Sequence, residues 1–339
     1  MPTSPLELTR AQILAFRRRA GALDERLPRG ARSLRQAAWA GLTDSVPRSA
    51  LLSIHARVEG TQATTWKDRS LVHVWGPRYS TYLVPARDRA IFTLGRLPDA
   101  PHRRRRAEDM AARLDAFLAG RRLKDNQAQR ELGVGNGIKY ATTTGTVLIR
   151  WEGAKAPEIW TVPRPEVDPH EARKELARRY LHVFGPATPD AFSIWAGVGG
   201  GEARATFDAL SASLIAVRAP IGDGWILAGD EPAFREPPGP DAAARLLPSG
   251  DAYSLLWREQ RALLVPEAAR QGELWTPRVW PGAILLHGEV RGTWRRAHDI
   301  VTAQAWGRFS PAERAAVEAE AAALPLPGLE RAIRVRWDG

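Results

Sequence analysis

Residues 38–58 read Ala-Trp-Ala-Gly-Leu-Thr-Asp-Ser-Val-Pro-Arg-Ser-Ala-Leu-Leu-Ser-Ile-His-Ala-Arg-Val, and residues 71–88 read Leu-Val-His-Val-Trp-Gly-Pro-Arg-Tyr-Ser-Thr-Tyr-Leu-Val-Pro-Ala-Arg-Asp. The run Gly41-Leu42-Thr43-Asp44-Ser45-Val46-Pro47 breaks one helical pattern and starts another. After it, Ala50, Leu51, Ile54 and Val58 recur at the spacing of one helix face, which predicts an amphipathic helix over 48–58. Leu71 to Trp75 and Thr81 to Val84 are short runs of apolar and β-branched residues. Gly76-Pro77-Arg78 joins them, which predicts a hairpin. Helices followed by a hairpin give the outline of a winged helix.

Working outward, residues 6–19 (behind Ser4-Pro5) and 33–40 are expected helices, completing a first unit over 1–97. Leu97-Pro98-Asp99-Ala100-Pro101 has the composition of a linker. The basic run His102-Arg103-Arg104-Arg105-Arg106 after it reads equally well as a solvated helix start and as a phosphate clamp. A second unit over 102–165 has Met110, Leu114, Phe117 and Leu118 on one helix face. Helices at 125–132 and 138–144 follow, then strands at 147–151 and 158–162. The order repeats over 166–230, with helices at 170–184, 189–195 and 202–211 and strands at 214–218 and 225–228. Gly197-Val198-Gly199-Gly200-Gly201 is not followed by the Lys-Ser/Thr of a phosphate loop and reads as a turn. A Pro-rich linker covers 231–241. The remainder, 242–339, reads as strands at 283–286, 289–295 and 333–337 with a helix at 311–323 capped by Ser310. The expected class is therefore α+β: tandem winged-helix units, then a small β-rich C-terminal domain for which a barrel is one form.

The chain has 339 residues, no cysteine, and a formal charge of +11 with a pI near 10.6. Without cysteine there are no disulfides, thiolate ligands or thiol nucleophiles. No apolar run approaches the roughly 20 residues needed to span a bilayer, and the N-terminus lacks the layout of a signal peptide, so a cytoplasmic, nucleoid-associated protein is expected. Arginine supplies most of the charge; Lys67, Lys124, Lys139, Lys155 and Lys174 are the only lysines. Arginine grips phosphates bidentately and stacks on bases, which favours a polyanionic partner. A charge spread over a solvated surface is the plainer alternative.

Four blocks carry a family resemblance. They are Gly41-Leu42 through Pro47 with Arg48-Ser49-Ala50-Leu51-Leu52 and Ala56-Arg57-Val58; Arg78 with Ser80-Thr81-Tyr82-Leu83-Val84-Pro85 and Asp88; Arg179-Tyr180-Leu181 through Phe184-Gly185-Pro186-Ala187-Thr188-Pro189; and Leu246-Leu247-Pro248 through Asp251. Leu286-His287-Gly288 with Gly292-Thr293-Trp294-Arg295 adds a further one. In this order they resemble the winged-helix AlkZ-like DNA glycosylases. The resemblance implies binding to double-stranded, alkylated DNA and hydrolysis of the bond between an alkylated purine and deoxyribose. It places Arg78, Arg295 and Arg296 around a DNA channel. It also places two glutamines, or a glutamine and an aspartate, within the three residues after Gly-Leu. Here those residues are Thr43, Asp44 and Ser45, so the chain departs from the family pattern at its catalytic positions.

Thr43, Asp44 and Ser45 are nevertheless the candidate catalytic residues. An alkylated purine is already a good leaving group, so the enzyme mainly has to place a water and oppose an oxocarbenium-like sugar. Asp44 can accept a proton; the two hydroxyls can hold a water. Against this, Asp44 or Ser45 stands where a helix N-cap is expected, and extended backbone turns Asp44 away from its two neighbours. Both roles stay open at this stage. Candidate DNA contacts are Arg78, Tyr82, Arg103, Arg104, Lys139, Tyr140, Arg295 and Arg296, with Trp39 and Trp75 as candidates for stacking on an extruded base. The histidines lack partners at metal-ligand spacing, and no metal or cofactor is expected. Three fused units with no leucine-rich dimer helix suit a monomer wrapped round a duplex. A DNA-binding protein without catalysis, a regulator or a lesion-binding accessory, is the second reading.

Overall fold

In the computed structural model, all residues are described except 1–4, 154, 238, 240–242, 329–330 and 339. Ser4, residues 238, 240 and 241 of the expected second linker and the expected start of the last segment at 242 therefore lie outside the described residues. Strand β1 (Leu6–Glu7) comes first, then the helix Arg10–Ala20. That helix starts later than expected because Thr9 and Gln12 form a capping box and Leu6–Glu7 pairs parallel to a distant strand. Next come β2 (Leu42–Thr43), the helix Ser49–His55, β3 (Leu71–Trp75) and β4 (Thr81–Pro85). The long helix Pro101–Leu118 leads into β5 (Leu123–Lys124), the helix Asp125–Leu132, β6 (Val147–Arg150) and β7 (Glu158–Thr161). Helices Pro169–Phe184, Pro189–Ala196 and Gly200–Leu210 precede β8 (Leu214–Ala219) and β9 (Gly222–Leu227). The C-terminal part holds β10 (Arg245–Leu247), β11 (Gly282–Leu286), β12 (Glu289–Ala297), β13 (Ile300–Ala305), the helix Pro311–Ala322 and β14 (Arg334–Asp338).

The first two hairpins do not stand apart as separate wings. They meet edge to edge through His73 and Ile149, giving one six-stranded sheet in the order β2-β4-β3-β6-β7-β5. β1 pairs with β8 to make a three-stranded sheet with β9, so the N-terminus is tied to a segment two hundred residues away. One hydrophobic cluster draws on residues from Leu14 to Val290, centred on Tyr180, Phe184, Phe192 and Trp195. Nothing in hydrophobic periodicity announces which strand edges meet, because period records only the buried face.

The expected helix at 138–144 is instead a 3₁₀ stretch, Gly135–Thr144. Thr142, Thr143 and Thr144 donate their hydroxyls to the carbonyls of Lys139, Tyr140 and Ala141, three residues back. Side-chain bonds of this kind compete with the regular helical ladder and tighten it. The C-terminal sheet is open and not a barrel, with order β10-β11-β12-β13-β14. The helix Pro311–Ala322 packs Val317 and Ala321 into the sheet's core with Leu246 and Val335 of the two edge strands, where a closing ladder would run. Residues 249–281, left unassigned from sequence, contain two short helices, Gln260–Leu264 and Ala268–Leu274.

Segments far apart in sequence are locked by buried polar contacts. Arg57 holds Asp251 with two contacts of 2.7 and 2.8 Å, and the side chains are 3% and 0% exposed. Ser53 Oγ and the Tyr253 amide also donate to that carboxylate, at 2.6 and 2.9 Å. Burial pushes the Asp251 carboxyl up, but the Arg57 charge and these hydrogen bonds outweigh it and hold the group below its ordinary 3.8. A depressed carboxyl stabilises the fold above its unfolded pKa, and that contribution is lost as pH falls through the folded value. We predict that Asp251→Asn costs about 3–5 kcal/mol in urea unfolding, since it leaves a buried guanidinium without its charge partner. The variant should also lose part of the acid dependence of stability below about pH 4. His55 adds a second window. Burial, the largest effect, lowers its pKa from 6.5 to about 4, with Glu320 opposing and Arg26 and Arg245 adding to the fall. The unfolded chain therefore takes up the proton first, and stability should decline as pH falls from 6.5 to 4. A His55→Gln variant that unfolds with the same pH dependence as the parent across this range would contradict the assignment.

Candidate active site

Gly41 opens the candidate site with φ +81°, and a Cβ there would lie 2.9 Å from both the Phe92 and the Tyr82 ring. Only glycine suits that conformation and that approach. The chain then runs as β2 alongside β4, Leu42 opposite Leu83 and Thr43 opposite Tyr82, and the Asp44 amide donates to Thr81 O at 2.8 Å. The motif is thus a third strand added to the hairpin, and alternation along it fixes where its side chains go.

Thr43 is 7% exposed and its hydroxyl donates to Gly250 O at 2.7 Å, while its own carbonyl accepts from Ser49 Oγ at 2.8 Å. Asp44 is 1% exposed and both carboxylate oxygens are engaged. Oδ1 accepts the Ala50 amide at 3.0 Å in the first turn of Ser49–His55, and Oδ2 accepts from His73 Nε2 at 3.1 Å. A carboxylate only accepts, so His73 carries a proton on Nε2. The His73 ring in turn packs tilted against Trp66, centroids 5.6 Å apart. Ser45 is the exposed member of the three. Trp66, against His73, is ringed by cations: Arg48 at 4.1 Å, Lys67 at 5.1 Å and Arg150 at 5.8 Å. Arg48 adopts a left-handed φ of +69° to reach this position.

The candidate DNA contacts divide between surface and core. Arg78 is exposed, in a turn where it and Tyr79 have φ +53° and +58°, and its guanidinium lies 4.4 Å from the Trp257 ring centroid. Arg295 is exposed and donates to Val279 O at 2.9 Å; Arg296 is exposed and donates to His298 O at 2.7 Å. Between these arginines, Arg261 stacks on Trp275 and Trp280 at 4.9 and 5.6 Å. The 257–280 segment therefore touches Arg78 at one end and Arg295 near the other, a connection with no periodic signal in sequence. Arg103 is exposed; Arg104 pairs with Glu108 at 3.3 Å. Lys139 lies over Trp75 at 5.6 Å, and Tyr140 sits between Arg106 and Tyr79. Two expectations need correcting on access. Tyr82 is 3% and Trp75 2% exposed, because the hairpin is covered on both faces, so neither offers DNA a free face. Trp39 is half-buried, with Arg179 over its ring at 4.9 Å and His182 edge-on at 5.1 Å. Among the described residues, no group of three or more His, Cys, Asp or Glu is placed to hold a metal, and no helix is long and apolar enough to cross a membrane.

Comparison with known proteins now bears on this geometry. The family model described as "DNA glycosylase AlkZ-like" matches residues 35–325, most of the chain. The chain belongs to the AlkZ-like DNA glycosylase family. Its structure is similar to that of the Streptomyces sahachiroi DNA glycosylase AlkZ, with a TM-score of 0.77 at 17% identity, covering 98% of this chain and 100% of that one. At that identity the likeness is one of fold. No curated protein matches in sequence. Membership of the AlkZ-like family brings DNA binding and a repair-glycosylase-like role with it.

Within this AlkZ-like site, Asp44 ties a helix N-terminus to the next strand. We predict that Asp44→Ala lowers stability by about 1–3 kcal/mol, by removing the acceptor for Ala50 N–H and leaving His73 Nε2–H buried without one. Asp44→Asn keeps an acceptor for Ala50 and should lose less. Equal losses in chemical denaturation would mean that the charge, not the cap, carries the effect.

Proposed function

We propose that this protein binds duplex DNA carrying alkylated purines, and that the 43–45 segment offers the substrate one hydroxyl, Ser45, in place of a carboxylate base. The observation that carries this reading is the burial of Asp44 with both oxygens hydrogen-bonded inside the protein. A general base has to reach the proton it takes, directly or through one water, and a fully engaged buried carboxylate is poorly suited to that. What remains at the surface of the three is a hydroxyl able to position water, three residues before Arg48, whose guanidinium lies over Trp66. Such an arrangement serves only substrates whose base already carries positive charge and departs readily. Purines alkylated at N3 or N7 are of that class.

The helix, helix, hairpin order supports reading the segments 1–97, 102–165 and 166–230 as winged-helix units and 242–339 as the C-terminal unit. In that reading Arg78, Arg103, Arg295 and Arg296 are phosphate contacts. Arg104, Lys139 and Tyr140 are secondary ones. We further propose that the protein acts as a monomer in the cytoplasm, on the nucleoid.

The second reading is a hydrolase that uses Asp44, and the 3.1 Å Asp44–His73 pair favours it, since a histidine partner can orient a carboxylate. Single-turnover excision from DNA bearing N3- or N7-alkylated purines, at matched folded concentration, separates the two. Asp44→Asn should excise within about threefold of the parent, whereas loss of a general base typically costs 10²–10⁴-fold. Ser45→Ala should be slower than the parent. Duplex affinity should fall with salt, each phosphate contact adding about 0.9 to the magnitude of the log–log slope. Fluorescence anisotropy that is flat across salt concentrations would remove the phosphate contacts from this account.

A further inference from the structure

A cleft of about 380 Å³ lies between the Pro101–Leu118 helix, the 3₁₀ stretch and the glycine turn that starts Gly200–Leu210. Its floor is unusual. Arg96 is 3% exposed, yet no carboxylate pairs with it among the described residues. Its Nε donates to Ala196 O at 2.8 Å and its Nη1 to Trp75 O at 3.1 Å, while Nη2 is buried with no hydrogen-bond partner among the described residues. Burial lowers its pKa from 12.5 to about 10, with Tyr79 and Tyr82 opposing, so the guanidinium stays charged at neutral pH. A buried cation whose hydrogen bonds go only to carbonyls, with one donor unused, is a costly arrangement without an anion.

The walls add to it. Arg103 and Arg106 line the cleft from the helix above, and neither makes an ion pair among the described residues. Arg96 lies 4.7 Å from the Tyr79 ring and Arg106 4.2 Å from the Tyr140 ring, and the two tyrosines meet edge to face at 5.6 Å. Tyr79 is held there by its left-handed turn, which the Gly197 backbone abuts: a Cβ on Gly197 would lie 3.2 Å from Arg78. The lining carboxylate, Glu202, is already engaged. Its Oε2 accepts the Gly199 amide at 2.7 Å and its Oε1 the Asp99 amide at 2.8 Å. Three arginines against that one glutamate leave the cleft positive.

We propose that this cleft binds a nucleotide, the phosphate seated among Arg96, Arg103 and Arg106 and the base against Tyr79 and Tyr140. Guanidinium forks match phosphate oxygens, tyrosine rings offer a stacking surface, and the volume lies within the range of small-ligand pockets. The site is separate from the 43–45 motif and does not rest on the excision chemistry proposed for it. The same chemistry has two sources, a free mononucleotide and a nucleotide at the end of a DNA strand.

Isothermal titration of the full chain with dAMP, deoxyadenosine and inorganic phosphate tests the proposal. We expect dAMP to bind at least about tenfold more tightly than deoxyadenosine, because the charge-assisted contacts go to the phosphate. The Arg103→Ala/Arg106→Ala double variant, altered only at exposed side chains, should weaken dAMP by about tenfold or more. Tyr140→Leu should weaken dAMP but leave phosphate unchanged. Displacement of dAMP by a 5′-phosphorylated oligonucleotide, and not by its unphosphorylated twin, would support a strand end as the source. Binding of dAMP without displacement would support the free nucleotide. Equal affinity for dAMP and deoxyadenosine, an unaffected double variant, or no binding of dAMP or the phosphorylated oligonucleotide by the parent protein would overturn it.

Discussion

The Arg57–Asp251 pair is the constraint on which the rest of the molecule hangs. Arg57 closes the helix that follows the 43–45 motif, and Asp251 stands just after β10 at the start of the 249–281 segment. Taking both charges out of water is expensive, and a pair this deep is retained only when its geometry and extra hydrogen bonds offset that loss. Two guanidinium contacts, a serine hydroxyl and a backbone amide meet that condition. Because Thr43 reaches Gly250 O, one residue before Asp251, the same lock sets the register of the candidate site against the C-terminal part.

Other long-range contacts repeat the device. Arg179 donates to Trp39 O at 2.9 Å and to Asp88 at 3.0 Å, joining three separate blocks of the sequence. Arg17 donates to the carbonyls of Phe184 and Gly185, and the Trp294 indole to Leu247 O at 2.9 Å. The residues that carry the family resemblance are in large part these contacts. Arg57, Asp88, Arg179, Gly185, Leu247, Asp251 and Trp294 hold segments together. The three positions that depart from the family pattern, Thr43, Asp44 and Ser45, sit where substrate chemistry is expected. A scaffold kept together by many buried polar locks can change single reactive side chains without losing its fold, although Thr43 and Asp44 here also take part in the bracing, through Gly250 O and His73.

Several local elements are legible because a local cause produces them. The β3–β4 hairpin, the Asp125–Leu132 helix and the Ser310 cap all follow from spacing and cap chemistry within a few residues. The edge-to-edge join at His73 and Ile149 was not legible, because strand pairing depends on where whole hairpins dock. The 3₁₀ stretch was missed although its cause, three successive threonines, was in view. At the candidate site, alternation predicts that Asp44 faces away from both Thr43 and Ser45; Thr43 and Asp44 are both buried and Ser45 alone is exposed, since β2 ends at Thr43. The partner waiting for Asp44, His73, lies 29 residues on, and no periodic pattern links them. From sequence His73 is a histidine without a partner at metal-ligand spacing, and Trp75 and Tyr82 read as available to DNA, for the same reason. A strand's period says that alternate residues share a face but not whether the other face is also covered.

Charge is the last point at which sequence and structure part. A net +11 dominated by arginine reads at first as a surface for DNA. Yet Arg17, Arg57, Arg96, Arg173, Arg179 and Arg245 are each 5% exposed or less. Most of them donate to backbone carbonyls: Arg173 to Gly95 O and Arg245 to Ala56 O, both at 3.1 Å. Arginine suits that work because its planar fork presents five donors and stays charged even when burial lowers its pKa, as it does for Arg17, to about 10. In this chain, then, the arginine count records two demands at once, internal bracing and external charge. The second set lies at or near the surface. That set is local: the run at 103–106 on one helix, the ring around Trp66, and the arc from Arg78 past Arg261 to Arg295 and Arg296. The reach of any DNA footprint follows from the spacing of those clusters and not from the total.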